Sequence, residues 1–587
     1  MSSPRVRAVV PAPVPDARTA VPGGGTGGTG DAGRSARSAE RSGAGSRRLA
    51  GLRVERRSVL TVAAALAATA ATGALAGCDS GTPTGRGPSR GPSPTGGGTS
   101  TRPPSATPSP GAPTWSALGK GLDGDLVRPD DADYPTARQL YNTRFDGLKP
   151  AAVAYVSGED DIKECLAFAR THRTPVSIRS GGHSYAGWSS GNGRLVIDIS
   201  RLASLDDAVS DGVIGAGARI ADIYRTLTDK GRTIPAGSCP TVAVSGLTLG
   251  GGHGVTSRAY GLACDSLEAA TLVMADGTTV TADAGHHSDL FWALRGAGNG
   301  NFGVVTSLRF RTHPAPEGVA AFMSWPWAKA DALLASWQEW GPDQPDEIWS
   351  SLHFDAGPGG VEPTASVSVF SLGTEGDLHT AVDRLADQTG GPGPASSVSL
   401  KSRSFEDAMA VYGGYSGLTA QQTRLAGSTP GRSAQGALRR DTYAAASDFY
   451  DRSMTPAGRQ ALLGTAEAFT RLPVAQGGGG SIALTALGGA VNRVDPTATA
   501  FVHRRSRMLA QYVASWQPSG TGSAHRSWLA STHSAMRRYA SGAAYQNYTD
   551  PTLSDWRSAY YGQGADRLTA LKKQYDPDRL FDFPQAL

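Results

Sequence analysis

The sequence predicts an α+β protein of two domains, and three observations carry that prediction. Between about residues 115 and 314, short alternating strand runs interleave with helices that are apolar on one face. Two glycine-dense stretches lie in that region, the first directly after a strand and the second ahead of a hairpin-like run. From 315 to 540 the pattern changes: Trp-rich helical segments alternate with strand runs, which predicts helices packed against an antiparallel sheet.

The elements follow in order. AVAYV (152–156) alternates like a strand, and DDIKECLAFARTH (160–172) has helical spacing of Ile162, Cys165, Leu166 and Ala169. PVSIRS (175–180) and RLVIDIS (194–200) read as strands flanking a glycine loop. VIGAGARIADIYRTLTDKG (213–231) passes from strand into a helix that stops at Gly231. SLEAATLVMADGTTVTA (266–282) reads as a hairpin turning at Asp276-Gly277. In the second region WAKADALLASWQEW (327–340) is helical, while TASVSVF (364–370) and SIALTAL (481–487) are strands.

The first 114 residues have no globular pattern. Residues 1–57 hold eleven Arg, no Lys and four acids, net +7, without apolar periodicity, and so read as disordered. Arg56-Arg57 leads into an uncharged run, 58–78, ending Leu75-Ala76-Gly77-Cys78. The run is long enough to span a bilayer, but it is Ala/Thr-rich and only weakly apolar, which favours an export signal. The twin arginines suggest the twin-arginine route, and LAGC resembles a lipobox that would acylate Cys78 and anchor the protein to the outer face of the membrane. Residues 79–114, rich in Pro, Gly, Ser and Thr, read as a tether.

This leader also accounts for the basic balance. The whole chain is +5 and residues 1–57 alone are +7, so the remainder is −2 and nothing supports nucleic-acid binding. Cys78, Cys165, Cys239 and Cys264 show no CxxC and no His/Cys metal spacing, so neither a disulfide framework nor a metal site is expected. Cys165, on the apolar face of a helix, reads as packing.

Two stretches carry the chemistry. IRSGGHSYAGWS (178–189) sets Arg179, Ser180, Gly181, Gly182, His183 and Ser184 directly after a strand, where backbone N–H groups can close on a diphosphate. PAGSCPTVAVSGLTLGGGHGVTSRAYGLACDSL (235–267) offers a second cradle, Gly250, Gly251, Gly252 and Gly254, to enclose the other side of the same ligand. Together with DLFWALRGAGNGNFGVVT (289–306) and the C-terminal YQNYTDPTLSDW…DPDRLFDFPQAL, these motifs resemble the berberine-bridge-enzyme-like flavin oxidases, in order from about residue 140 to the end of the sequence. Ala243-Val244-Ser245 stands where many members have Gly-Val-Gly, and Ala297 where Gly or Cys is common.

The resemblance implies a fold of the vanillyl-alcohol-oxidase, PCMH-type FAD-binding class. Residues 115–314 and 541–587 would form the FAD domain, and 315–540 an α+β substrate domain over the flavin ring. It implies FAD bound covalently twice, through His183 to the flavin 8α-methyl and Cys239 to the 6-position, with Gly246, Gly303 and Val305 among the cofactor's backbone neighbours. A neutral imidazole and a thiolate are nucleophiles suited to such bonds. The family often draws its base from the C-terminal tyrosine segment, which points first to Tyr548 and then to Tyr545, with Asn547 orienting the flavin or the tyrosine. An ordinary tyrosine would need its pKa lowered, or a neighbouring acid coupled to it, for that role. Val242, three positions after the cysteine, is the oxygen-permissive type of gatekeeper. The expectation is therefore an exported, monomeric oxidase of a small-molecule or oligosaccharide alcohol, with molecular oxygen as acceptor. A secondary-metabolite tailoring enzyme and a non-catalytic flavin- or carbohydrate-binding surface protein are the alternatives.

Overall fold

The computed structural model describes residues 114–587. The basic leader, the signal segment with Arg56-Arg57 and Cys78, and the tether up to residue 113 lie outside the described residues.

The first sheet contains β1 (Asp125–Val127), β2 (Ala152–Tyr155), β3 (Val176–Arg179) and β4 (Leu195–Asp198) in the order β1-β2-β4-β3. β2 and β3 run parallel to β4, and β1 is antiparallel to β2. Every residue of β2 and β4 is buried, as a parallel sheet covered on both faces requires. The helix Glu159–His172 makes the crossover from β2 to β3. Glu159, Asp160 and Asp161 in its first turn complement the helix dipole, and Arg173, left-handed at φ 51°, ends it. Its buried stripe contains Ile162, Cys165, Leu166 and Ala169, so Cys165 is core.

The second sheet is antiparallel, in the order β5 (Val213–Gly215), β9 (Gly303–Phe310), β7 (Leu267–Met274) and β8 (Thr279–Asp283). A short ribbon beside it pairs β6 (Arg232–Thr233) with β10 (His313–Pro314). Gly277, at φ 90°, makes the β7–β8 turn, and the Asp276 carboxylate accepts the Thr278 N–H at 2.9 Å.

The third sheet has seven antiparallel strands: β11 (Gly318–Trp325), β12 (Ile348–Ala356), β13 (Thr364–Ser371), β14 (Ser397–Arg403), β15 (Tyr443–Tyr450), β16 (Gly479–Ala486) and β17 (Met508–Ser515). Their order is β14-β11-β13-β12-β16-β17-β15. Period-2 alternation gives the sheet two apolar faces. On β11, Val319, Ala321 and Met323 pack into a core shared with the helices Ala330–Trp340, Pro456–Thr470 and Ser523–Arg537, whereas Ala320 and Phe322 join the core of the first two sheets. The helix Pro456–Thr470 starts where Thr455 Oγ1 accepts the Gly458 N–H at 3.2 Å, with proline at its first position.

Buried cations join these layers. Arg258 donates to the carbonyls of Ile348 and Pro342 at 2.8 Å each, and to those of Leu487 and Gln344. Arg504 makes a two-pronged pair with Asp265 at 2.7 and 2.8 Å. The C-terminal segment docks through Lys572, whose Nζ donates to the carbonyls of Asn301 and Phe581 and pairs with Asp576, each at 2.7 Å. This returns the segment from residue 544 onward to the glycine loop before β9.

Candidate active site

The layers enclose a cavity of ≈ 550 Å³. One wall comes from the loop after β3, where Ser180, Gly181, Gly182, His183 and Ser184 all border it. The turn around Cys239 and Val242, together with Gly246, His253 and Gly254, continues that wall, and Gly303 and Val305 of β9 lie further along it. Tyr545, Asn547 and Tyr548 close one end, and the inner face of the seven-stranded sheet forms the roof.

The roof is set by strand register. Phe322, Ser368, Ser351 and Thr485 lie opposite one another across β11, β13, β12 and β16, and His353, Ala483 and Gln511 make a parallel row across β12, β16 and β17. All seven residues border the cavity, and Trp349 and Tyr412 extend it with aromatic surface, 6.0 Å apart at 84°. Trp349 Nε1 is buried without a protein acceptor. The roof thus offers aromatic faces interleaved with hydroxyl, amide and imidazole groups.

His183 and Cys239 share a neighbour in Thr241. The His183 Nε2 is 2.8 Å from Thr241 Oγ1, and its ring stacks on Tyr141 at 4.1 Å and 23°. Tyr141 in turn donates to the Asp441 carboxylate at 2.7 Å. Burial, helped by the Arg219 charge, lowers the His183 pKa to about 3, so the imidazole is neutral and nucleophilic. Burial also pushes the Cys239 thiol up, while hydrogen bonds from Thr241 and the Val242 N–H pull the other way by favouring the thiolate.

The two C-terminal tyrosines differ in their partners. The Tyr545 oxygen accepts from the Gly252 N–H at 2.8 Å and from Asn547 Nδ2 at 2.9 Å. Asn547 Nδ2 also donates to the Leu247 carbonyl, and its Oδ1 accepts from Asn299, both at 2.8 Å. Tyr545 and Asn547 therefore hold the 247–252 turn. Tyr548 instead meets His253 Nε2 at 2.6 Å, its ring stacked on Tyr185 at 5.3 Å and 17°. Burial raises its pKa well above 10 rather than lowering it, and its neighbour is a base rather than an acid.

Four expected cofactor contacts sit elsewhere. Arg179 lies behind the loop, paired with Asp198 in the first sheet, because a buried guanidinium at a strand end takes the carboxylate that the parallel neighbour presents. Gly250, Gly251 and Gly252 do not border the cavity. Their missing side chains make room for protein: a Cβ would meet Asn547 Oδ1 at 2.1 Å, the Phe501 ring at 3.0 Å and Ala263 Cβ at 2.6 Å, respectively. Gly246 is the opposite case, a cavity-lining glycine whose Cβ would meet no protein atom within 4 Å. Cys264 is fully buried. His253, Tyr185, Gln511, Tyr141 and Asp441 are site residues that the sequence reading passed over. Tyr185 and His253 sit inside the quoted glycine motifs and were open to notice, whereas Asp441 and Gln511 arrive from distant segments.

A match to the FAD binding domain model spans residues 150–283, and one to the berberine and berberine-like model spans 544–587. An uncharacterised FAD-linked oxidoreductase of Bacillus subtilis, YgaK, is 30% identical over 472 residues, covering 79% of this chain and 97% of that protein. The chain belongs to the berberine-bridge-enzyme-like family of FAD-linked oxidoreductases. Another relative is the chitooligosaccharide oxidase of Gibberella zeae, 30% identical over 76% of this chain and 89% of its own length. The xylooligosaccharide oxidase from Myceliophthora thermophila, solved in complex with xylobiose, superposes with a TM-score of 0.69 at 28% identity, covering 80% of this chain and 98% of its own.

The berberine-bridge-like site fits FAD on its own terms. Gly246 leaves cavity space that no protein atom fills, Gly182 borders the cavity at φ 72°, and Asn299 Oδ1 and His253 Nδ1 are buried on the wall without a protein partner. Among the described residues no group of three or more His, Cys, Asp or Glu is placed to hold a metal ion, and no helix is long and apolar enough to cross a membrane.

Several histidines carry a prediction for stability. Burial lowers the pKa of His253, His313 and His503 from 6.5 to about 4. The unfolded chain then binds more protons between those values, so the stabilisation present above pH 6.5 is lost as pH falls towards 4. Burial opposes protonation of His533, but Asp448 and Asp550 outweigh it, so the stability this residue adds is full below pH 6.5 and is lost as pH rises from there through its raised pKa. The thermal midpoint should fall continuously from pH 6.5 to 4, and substitution of His503 by Gln should flatten that slope.

Proposed function

We propose that the protein is an exported oxidase of carbohydrate or oligosaccharide alcohols, with FAD held by covalent bonds to His183 and Cys239 and oxygen as the final acceptor, yielding hydrogen peroxide. The observation that carries this reading is the cavity itself. It sets a neutral histidine, a cysteine and a tyrosine–histidine pair on and beside one wall, opposite a roof of alternating aromatic and hydrogen-bonding side chains. Sugars present apolar C–H faces and a rim of hydroxyls, and such a roof answers both. The chitooligosaccharide, xylooligosaccharide and carbohydrate oxidases among the relatives support the same substrate class.

FAD supplies the hydride acceptor, which the amino-acid side chains cannot. The chain's own residues hold the substrate under the roof, exclude water, and take the hydroxyl proton at Tyr548 Oη. With Nε2 engaged by Thr241, Nδ1 of His183 would be the nitrogen that bonds the flavin. Val242, on the cavity wall, is the residue assigned to admitting oxygen. Two-point attachment suits export, since an enzyme outside the cell cannot replace lost FAD.

The test is peroxide release over a panel of mono- and oligosaccharides, with aromatic and terpenoid alcohols beside them. Turnover confined to sugars is expected. Turnover confined to the non-sugar alcohols would assign the protein to secondary-metabolite tailoring, and none at all to a binding role. Export is tested separately: protein with both Arg56 and Arg57 replaced by Lys should remain inside the cell, and mature protein should carry acyl-Cys78.

A further inference from the structure

We propose that His253 is the proton-accepting partner of Tyr548, so that the base of the reaction is a tyrosine–histidine pair rather than a tyrosine alone. The proposal rests on the reading that Tyr548 meets the substrate hydroxyl.

Three observations carry it. First, Tyr548 Oη and His253 Nε2 lie 2.6 Å apart, at the short end of the hydrogen-bond range. Second, both rings are held in place. Tyr548 stacks on Tyr185, whose hydroxyl is fixed by Gln511 Nε2 at 2.8 Å, and the rings of His253 and Tyr548 meet edge to face at 87°. Third, the alternative tyrosine is spoken for, because the Tyr545 oxygen already accepts two N–H groups that hold the 247–252 turn.

The protonation states follow. His253 is kept neutral by burial alone, with a pKa of about 4 and no charged group acting on it. The titratable side chains around the pair are Tyr545, beside His253, and Tyr185 and Tyr545, beside Tyr548. Burial also keeps Tyr548 protonated. The pair requires the tautomer in which Nε2 accepts from the Tyr548 hydroxyl, with the ring proton on Nδ1, the atom left without a protein partner. Burial disfavours a resting phenolate–imidazolium pair, because it raises the phenol pKa and lowers that of the imidazole.

Transfer therefore occurs only as the substrate proton arrives. The substrate O–H breaks and its proton binds Tyr548 Oη; the Tyr548 O–H breaks and its proton binds His253 Nε2. The carbon–oxygen bond becomes C=O as the C–H electron pair leaves as hydride to FAD. One alcohol thus yields one carbonyl, one hydride and one proton, the last left on His253.

Two measurements decide the matter. The first is the pH dependence of anaerobic flavin reduction in wild type, H253Q and Y548F. Wild type should be flat from about pH 5 upward and fall only near pH 4. H253Q, which keeps a polar group but cannot take a proton, should be at least about 10²-fold slower at pH 7 and recover roughly tenfold per pH unit towards the tyrosine pKa. Y548F should be slow at every pH. H253Q matching wild type while Y548F is slow would overturn the pair and leave Tyr548 as the base, whereas Y548F at wild-type rate would overturn the reading beneath both. The second needs no turnover: in 15N-histidine-labelled protein, the resonance that moves in Y548F should report a neutral ring protonated at Nδ1 at pH 7. Protonation at Nε2 would mean that Tyr548 accepts rather than donates, and the proposal would fall.

Discussion

Tyr548→Phe should slow flavin reduction by about 10²–10⁴-fold under anaerobic single-turnover conditions, the range a positioned general base contributes. Phenylalanine keeps the ring that stacks on Tyr185 and meets Tyr545 edge to face at 5.0 Å, so packing and bound FAD should survive. The variant loses only the oxygen that faces His253. Reoxidation by air should be unchanged, because no proton acceptor is needed at the substrate carbon in that half-reaction. Tyr545→Phe should behave differently. It strips a hydrogen-bond acceptor from the Gly252 N–H and Asn547, a buried loss of about 1–3 kcal/mol, so its main effect should be on stability. Reduction at the wild-type rate in Y548F together with a large rate loss in Y545F would reverse the roles assigned to the two residues.

The second large effect concerns attachment. Acid precipitation of the wild-type protein should leave all flavin in the pellet. Cys239→Ala should keep it there through His183 but alter the visible absorption, because the ring loses a sulfur substituent. His183→Ala should hold its flavin through Cys239 alone, and the double variant should release all of it. The outcome is close to all-or-none because covalent bonds survive denaturation while every hydrogen bond around the cofactor is lost. Flavin in the wild-type supernatant, or a Cys239→Ala spectrum identical to wild type, would remove the corresponding bond. The stack of Tyr141 on His183, with Asp441 behind it, adds that His183 sits in a rigid slot and not on a free loop.

What could be read in advance depended on whether the cause was local. β2, β3, β4 and the helix Glu159–His172 follow from alternation and a 3.6-residue stripe, and the β7–β8 hairpin from Asp276-Gly277, since the interactions responsible lie within a few residues. That His183 and Cys239 would border the cavity is legible because each sits in a short, dense motif. The roof was not. Whether Ser351 faces Thr485 or its neighbour is a matter of register, and a slip of one residue would turn Ser351, His353 and Gln511 away from the cavity. Gly250, Gly251 and Gly252 suggest a ligand cradle in the sequence because glycine signals close approach without naming the partner; here the partners are Asn547, Phe501 and Ala263. Arg179 misled for a similar reason, since a cation beside an anion-binding loop gives no sign of Asp198 on the adjacent strand. His253 stood inside the same glycine run, but its meaning depends on Tyr548, 295 positions away in the chain.

The central claim, a carbohydrate alcohol oxidised by FAD and the electrons passed to oxygen, is met most directly by one stoichiometric experiment. Purified protein is mixed without oxygen with one equivalent of an oligosaccharide that gave peroxide in the panel; oxygen is then admitted. One oxidised sugar and full bleaching of the flavin are expected in the first step, followed by complete return of the colour and one hydrogen peroxide per flavin in the second. Flavin that stays oxidised under excess sugar, or bleached flavin that air fails to restore, would contradict the account.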